Sequence, residues 1–162
     1  MPNPQISAQL HPLITQGVEL LRELDSLLAE ERQALEKRNL DAIQKTTELK
    51  ADLLNRVGAN FNERHSAMEA AGIELSAEGW DSFIADLPVT EAKPLSDAWT
   101  ELDQLLEQVQ KASQINQQLV HRGQENTARL LSLLQGKNQK SELYGRSGAR
   151  NNFSTQSRIG KA

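Results

Sequence analysis

The chain has 162 residues and a formal net charge of −4, which is the length of one domain. Its hydrophobic share of 38% and aromatic share of 4% lie below the roughly 45–50% apolar share of ordinary globular proteins, which favours packed helices over a β-sandwich or open sheet. The absence of cysteine excludes disulfides, thiolate metal sites and a cysteine nucleophile.

The first predicted element is an amphipathic helix over roughly residues 6–37. Polar and charged residues stand between its apolar positions, and the acidic pair Glu30 and Glu31 is expected on a solvated face. The helix should end before Asn39, which is a favourable N-cap residue for the next helix. The apolar positions recur at three- and four-residue steps: Leu13, Ile14, Gly17, Leu20, Leu21, Leu24, Leu27, Leu28, Ala34 and Leu35.

A second helix is predicted from Leu40 to a glycine C-cap at Gly72. Lys50 and Arg64 share the register of its apolar stripe, where a coiled-coil seam would carry leucine. Either their aliphatic stems extend to the surface, or the bundle opens at these positions. The stripe consists of Leu40, Ile43, Thr47, Leu54, Val57, Phe61 and Met68.

Residues 73–94 are expected to hold a short helix, capped by Ser76 and stopped by Pro88. Its aromatic residue Trp80, like Trp99 in the following segment, has apolar neighbours at helical spacing. Both tryptophans are therefore interpreted either as core residues or as aromatic anchors for a partner.

A third long helix is predicted to start after Pro94. Its apolar stripe follows a strict seven-residue repeat and weakens towards the C-terminus, where polar or small residues occupy the seam. Three long helices with short connections predict an all-α antiparallel bundle with coiled-coil-like packing. The repeat consists of Leu95, Ala98, Leu102, Leu105, Val109, Ala112, Asn116, Leu119, Gly123, Asn126, Leu130 and Leu133.

The charge is distributed unevenly between the predicted bundle, residues 1–135, and a predicted flexible basic tail, residues 136–162. The bundle has 12 Lys+Arg and 21 Asp+Glu, a net −9, whereas the tail has six basic residues and Glu142 alone, a net +5. An acidic body argues against nucleic acid as the ligand. No leader pattern or run of 18 apolar residues occurs, so we expect a cytoplasmic protein without membrane insertion.

Signatures of catalysis or of a metal centre are missing from the sequence. No glycine-rich phosphate loop or nucleophile elbow is present. A di-iron bundle needs Glu-x-x-His pairs, but the residues three before His11, His65 and His121 are Ala, Asn and Gln. We therefore predict a protein without catalytic residues, metal or cofactor.

The C-terminal half of the third helix carries more apolar residues than a two-helix seam requires. Part of this surface is expected to form a groove for another amphipathic helix, or to be covered by a second copy of the chain. Tyr144, the only tyrosine, is either part of a strap packed on the bundle or a docking peptide. The surplus apolar residues are Leu119, Val120, Leu130, Leu131, Leu133 and Leu134.

Three segments together resemble the FlgN family of flagellar export chaperones along nearly the whole chain. They are Glu48-Leu-Lys-Ala-Asp-Leu-Leu54, Ile115-Asn116-Gln-Gln-Leu119-Val120, and Leu143-Tyr144-Gly145-Arg-Ser-Gly148 with the basic tail after it. Residues 73–94 have no clear counterpart in the family pattern.

The resemblance implies a cytoplasmic chaperone of flagellar type III secretion. Such a protein binds C-terminal helical segments of hook-associated (hook-filament junction) proteins, prevents their premature assembly, and delivers them to the cytoplasmic domain of the export gate. Tyr144 is the implied contact with the gate. The alternative is a homodimeric coiled-coil adaptor or scaffold. The implied cargo-binding residues are Asn116, Leu119, Val120, Leu130, Leu131, Leu133 and Leu134.

Overall fold

The computed structural model describes the backbone of residues 4–143 and the side chains of residues 5–136. It contains four α-helices, α1 (Pro4–Glu36), α2 (Leu40–Ala70), α3 (Ala77–Ala85) and α4 (Val89–Leu143), and no strand within the described range. The predicted all-α class is confirmed.

The chain is divided into two compact units, a first unit of Met1–Leu119 and a second unit of Val120–Ala162. The boundary between them falls inside α4. The predicted domain division at residue 135 stays a prediction, and residues 144–162 of the predicted tail lie outside the described residues.

Contacts between side chains give the directions of the helices in the first unit. Arg56 of α2 lies 3.6 Å from Glu23 of α1, and Asn60 donates to the carbonyl of Leu13 at 2.8 Å, so α1 and α2 are antiparallel. Between α1 and α4, Gln108 donates to Asp25 at 2.8 Å. Ser7 of α1 bonds to Glu91 of α4, and Asn116 of α4 bonds to the Leu28 carbonyl of α1. Residue numbers in these contacts rise together along both helices, so α1 and α4 are parallel.

The core of the first unit is aliphatic and centres on α1. Leu10, Ile14 and Leu28 of α1 and Leu95 of α4 are the largest fully buried side chains. The helix α1 continues through Pro12, although proline removes a backbone donor, because the apolar residues on both sides of it are buried against the bundle.

The helix ends follow the capping chemistry expected from the sequence. Asn39 accepts a hydrogen bond from the amide of Ala42, and Ser76 accepts one from Gly79, as predicted for N-caps. After α2, Gly72 has a φ of 70°, its amide bonds to Glu69 and that of Ile73 to Met68. These two bonds form a Schellman motif.

The third long helix differs from its predicted bounds at both ends. It begins at Val89, with the Pro88 carbonyl accepting from Glu91 and Ala92, and Pro94 lies inside it. A proline this close to the N-terminus removes only one helical donor. The helix also continues past Gly136 to Leu143, since the Gln, Lys and Glu residues there are good helix formers.

The buried seam of α2 is shifted by one residue from part of the predicted stripe. Thr46, Leu53, Asn60 and Ala67 are buried at seven-residue spacing. Leu54 and Phe61, which the apolar pattern assigned to the seam, are 49% and 55% exposed, and Leu40 is 79% exposed. The polar residues are accommodated by hydrogen bonds: the Thr46 hydroxyl donates to backbone carbonyls of its own helix, and Asn60 bonds to α1.

Glu31 is buried, which corrects its predicted place on a solvated face. Its carboxylate pairs with Lys50 of α2 and accepts from Asn116 of α4 at 2.7 Å. One charged group on α1 thus connects three helices. Lys50 occupies a seam position because this buried partner compensates its charge.

Candidate partner-binding surface

The second unit exposes a cluster of leucines on α4. Residues 120–135 are all exposed, including Leu130 at 61% and Leu133 at 65%. Because residues three and four apart share one side of a helix, these side chains form a continuous apolar surface. We call it the leucine face, and it consists of Leu130, Leu131, Leu133 and Leu134.

The residues around the leucine face are polar and basic. Arg122 and Arg129 are seven residues apart, hence on one side of the helix, and neither has a carboxylate within ion-pair distance among the described side chains. The nearby Glu125 lies 3.5 Å from His121. Val120, another predicted cargo residue, is also exposed.

Asn116 and Leu119 belong to the first unit and are in a different environment. Asn116 is buried, donates to the Leu28 carbonyl at 2.8 Å and to Glu31, and accepts from Arg32 at 3.2 Å. Leu119 is half-buried. Asn116 is therefore fully engaged between helices, unlike the leucines at 130–134. Tyr144, the predicted gate contact, lies outside the described residues.

The sequence pattern missed a second apolar surface, which lies between α2 and α4 in the first unit. Two cavities of about 690 Å³ and 490 Å³ share Phe61, Arg64, Trp99 and Asp103 in their linings, so they form one groove. Leu54, Gly58 and Leu106 extend it in one direction, and Met68 and Trp80 in the other. We call this surface the α2–α4 groove. The signal for it was present in the sequence, since α2 carries apolar residues at two adjacent heptad positions.

Aromatic contacts shape one end of the α2–α4 groove. The rings of Trp80 and Trp99 stack with centroids 4.2 Å apart. Trp80 is buried and packs beside Phe83, so its predicted alternative as a core residue is confirmed. Residues 73–94 therefore contribute to the core of the first unit, mainly through α3.

Arg64 stands in the middle of the α2–α4 groove. Its guanidinium donates to Asn60 at 2.9 Å and lies 5.8 Å from the centre of the Phe61 ring. Burial lowers the pKa of Arg64 from its ordinary value. The groove thus places an exposed aromatic ring against a cation whose described contacts include no carboxylate.

The described residues hold no grouping of three or more His, Asp or Glu side chains suited to a metal ion. No helix within the same range is long and apolar enough to cross a membrane. The described residues thus form an all-helical module with two exposed apolar surfaces.

The comparisons identify the family of this module. The family model described as FlgN protein matches residues 1–152. The crystal structure of a flagella synthesis protein FlgN from Pseudomonas aeruginosa is similar, with 29% identity, a TM-score of 0.64, and coverage of 83% of this chain and 99% of that chain. No curated protein matches. The chain belongs to the FlgN family, and this membership supports a role in the flagellum.

Proposed function

We propose that this protein is a cytoplasmic export chaperone of flagellar type III secretion. Its leucine face binds the C-terminal helical segment of hook-associated junction proteins. The observation that carries the proposal is the exposure of four leucines within five residues, because adjacent exposed leucines mark a protein-binding surface more often than isolated ones do. Family membership supplies the flagellar context.

The proposed mechanism is completion of a helical interface by the cargo. An amphipathic cargo helix covers the leucine face with its own apolar side, and full burial of a leucine side chain contributes about 1.5–3 kcal/mol. Part of that gain is offset by ordering the cargo segment. While bound, the cargo helix is unavailable for assembly, so the subunit stays monomeric until export.

Release at the export gate requires only a competing interaction. Tyr144 is proposed to contact the cytoplasmic domain of the gate, which brings the cargo to the export channel. In this proposal Asn116 does not contact the cargo. Its amide bonds to α1 and fixes α4 in the first unit. The direct cargo contacts are Val120 and the leucine face, with Leu119 at the edge.

The test is co-purification with C-terminal segments of the hook-associated junction proteins. Leu130→Glu should abolish the complex, because a carboxylate at the centre of the leucine face would have to be desolvated. Leu40→Glu is the matched control, since Leu40 is an exposed leucine on α2 and its replacement should leave binding intact.

Two results would contradict the proposal. A folded Leu130→Glu variant that still binds the segments would exclude the leucine face as the cargo site. Absence of a complex with the wild-type chain, together with a stable dimer that Leu130→Glu dissociates, would instead favour the homodimeric adaptor.

A further inference from the structure

The described part of the chain has two exposed apolar surfaces of opposite shape. The leucine face is a convex ridge on one helix, whereas the α2–α4 groove is a concave channel between two helices. Phe61 and Leu54 at the groove are about half exposed, as are the leucines of the face. Both surfaces therefore leave apolar area in water, which favours an interaction that covers them.

The groove is as long as the stretch of α4 that ends in the leucine face. At about 1.5 Å per residue, the groove measures about 21 Å along α2 from Leu54 to Met68, and α4 covers the same distance from Val120 to Leu134. A single helix laid along the groove would thus place Val120 at one end of the groove and the leucine face at the other, with mostly polar and basic residues between them. It would also add a helix to the three long helices of a bundle.

Gly58 gives a docked helix room to approach. This glycine lines the groove inside α2, where it costs about 1 kcal/mol relative to alanine. A Cβ added to it would meet nothing within 4 Å, whereas one added to Gly17 would lie 2.7 Å from Asn60. Gly17 is needed for packing within the unit, but the space at Gly58 is unused there.

Charge complementarity favours a second copy of this chain as the occupant. The first unit contains 10 Lys+Arg and 20 Asp+Glu, a net −10, and the second contains 8 Lys+Arg and 2 Asp+Glu, a net +6. At the groove, Asp81 and Asp103 have no cation within ion-pair distance in the described part of the chain. Arg122 and Arg129 beside the leucine face likewise lack a carboxylate among the described side chains.

We propose that the leucine face of one copy docks in the α2–α4 groove of a second copy, with Arg122 and Arg129 facing the acidic rim. This self-association covers the leucine face while no cargo is bound. A cargo helix must displace it, so the chaperone exposes its binding surface only in exchange for cargo. The docking itself does not depend on the proposed function.

Complementation between two variants tests the docking. Phe61→Glu alters only the groove and Leu130→Glu only the leucine face, and by sedimentation velocity each alone should associate at least about tenfold more weakly than wild type, a loss of about 1.4 kcal/mol. Mixing them should restore association, because the intact face of the first variant fits the intact groove of the second. Leu40→Glu, the control, should associate like wild type.

Other outcomes overturn the proposal. If Phe61→Glu associates normally while Leu130→Glu does not, the leucine face pairs with itself. A mixture that stays monomeric, or a wild-type chain that is monomeric throughout a dilution series, excludes docking in the groove. Circular dichroism and thermal melting establish that each variant is folded, and rising salt should weaken the wild-type association.

The two proposals can fail separately. The Phe61→Glu variant keeps its leucine face and should bind the C-terminal segment of a hook-associated junction protein at least as tightly as wild type. If it is monomeric and binds no segment, the docking stands and the chaperone function fails. If it binds the segment but associates like wild type, the chaperone function stands and the docking fails.

Discussion

Arg38 adopts a left-handed backbone conformation, with a φ of 53°. It is the only non-glycine residue with a positive φ in the described part of the chain. It follows the end of α1, where the amide of Arg38 bonds to Leu35 and that of Asn39 to Ala34. This is the same pair of bonds that Gly72 makes possible after α2. A side chain in this conformation costs about 1–2 kcal/mol, which glycine avoids.

Replacing this residue with glycine should therefore stabilise the protein. We expect Arg38→Gly to raise the free energy of unfolding by about 1 kcal/mol, since the relief of strain exceeds the added freedom of the unfolded chain. Urea denaturation measures the change. Gln33→Gly, at an exposed position inside α1, is the control and should lower it by about 1 kcal/mol. If both variants lose stability, Arg38 is not strained.

Asn116 is a buried polar residue whose contribution can also be measured. Its amide satisfies the Leu28 carbonyl and Glu31, the partner of Lys50. Asn116→Ala should lower the free energy of unfolding by about 1–3 kcal/mol, because it removes hydrogen bonds to the buried Glu31 carboxylate and to the Leu28 carbonyl. Asn62→Ala, at an exposed site, should change it little in the same denaturation experiment. Equal effects would mean that the hydrogen bonds of Asn116 add nothing to stability.

Among the elements, α4 and α2 show what an apolar pattern can predict. The heptad repeat of α4 matches the observed burial from Leu95 to Leu119, because apolar side chains occupy every seam position there except Asn116. In α2, apolar residues occupy two adjacent heptad positions, and the sequence favoured the one with Leu54 and Phe61. The structure buries the other, which contains Thr46 and Asn60.

The register of α2 could not be predicted because it depends on contacts between helices. Asn60 reaches the backbone carbonyl of Leu13 only because Gly17 leaves space beside it. Such a bond between distant residues leaves no periodic signal in the sequence. The candidate leucine face, in contrast, was predictable, since a surplus of leucine is visible without knowledge of the partner helix.

Pro12 interrupts the backbone hydrogen bonds of α1. Proline costs about 3 kcal/mol in a helix interior, of which its stiffness in the unfolded chain offsets up to about 1 kcal/mol. Pro12→Ala should therefore raise the free energy of unfolding by about 2 kcal/mol, again by urea denaturation. Gln9→Ala, an exposed neighbour, should alter it by less than about 0.5 kcal/mol. A loss of stability in Pro12→Ala would mean that the proline directs the packing of α1.

Across the whole molecule, the same heptad position serves two purposes at different points of α4. Leu102 and Leu130 are four heptads apart, yet Leu102 is 6% exposed and packs in the core of the first unit. Leu130 is 61% exposed in the second unit. Because the leucines at 130–134 do not contribute to the core, they leave apolar surface that a partner can cover.

This division predicts a difference between two chemically identical substitutions. Leu102→Ala should lower the free energy of unfolding by about 2–5 kcal/mol, because it leaves a cavity in a packed core. Leu130→Ala should change it by less than about 0.5 kcal/mol when urea denaturation is performed at concentrations where the protein is monomeric. Equal losses would mean that Leu130 is buried in the folded monomer. If Leu130→Ala keeps the stability of wild type but binds a partner more weakly, Leu130 belongs to the binding surface and not to the core.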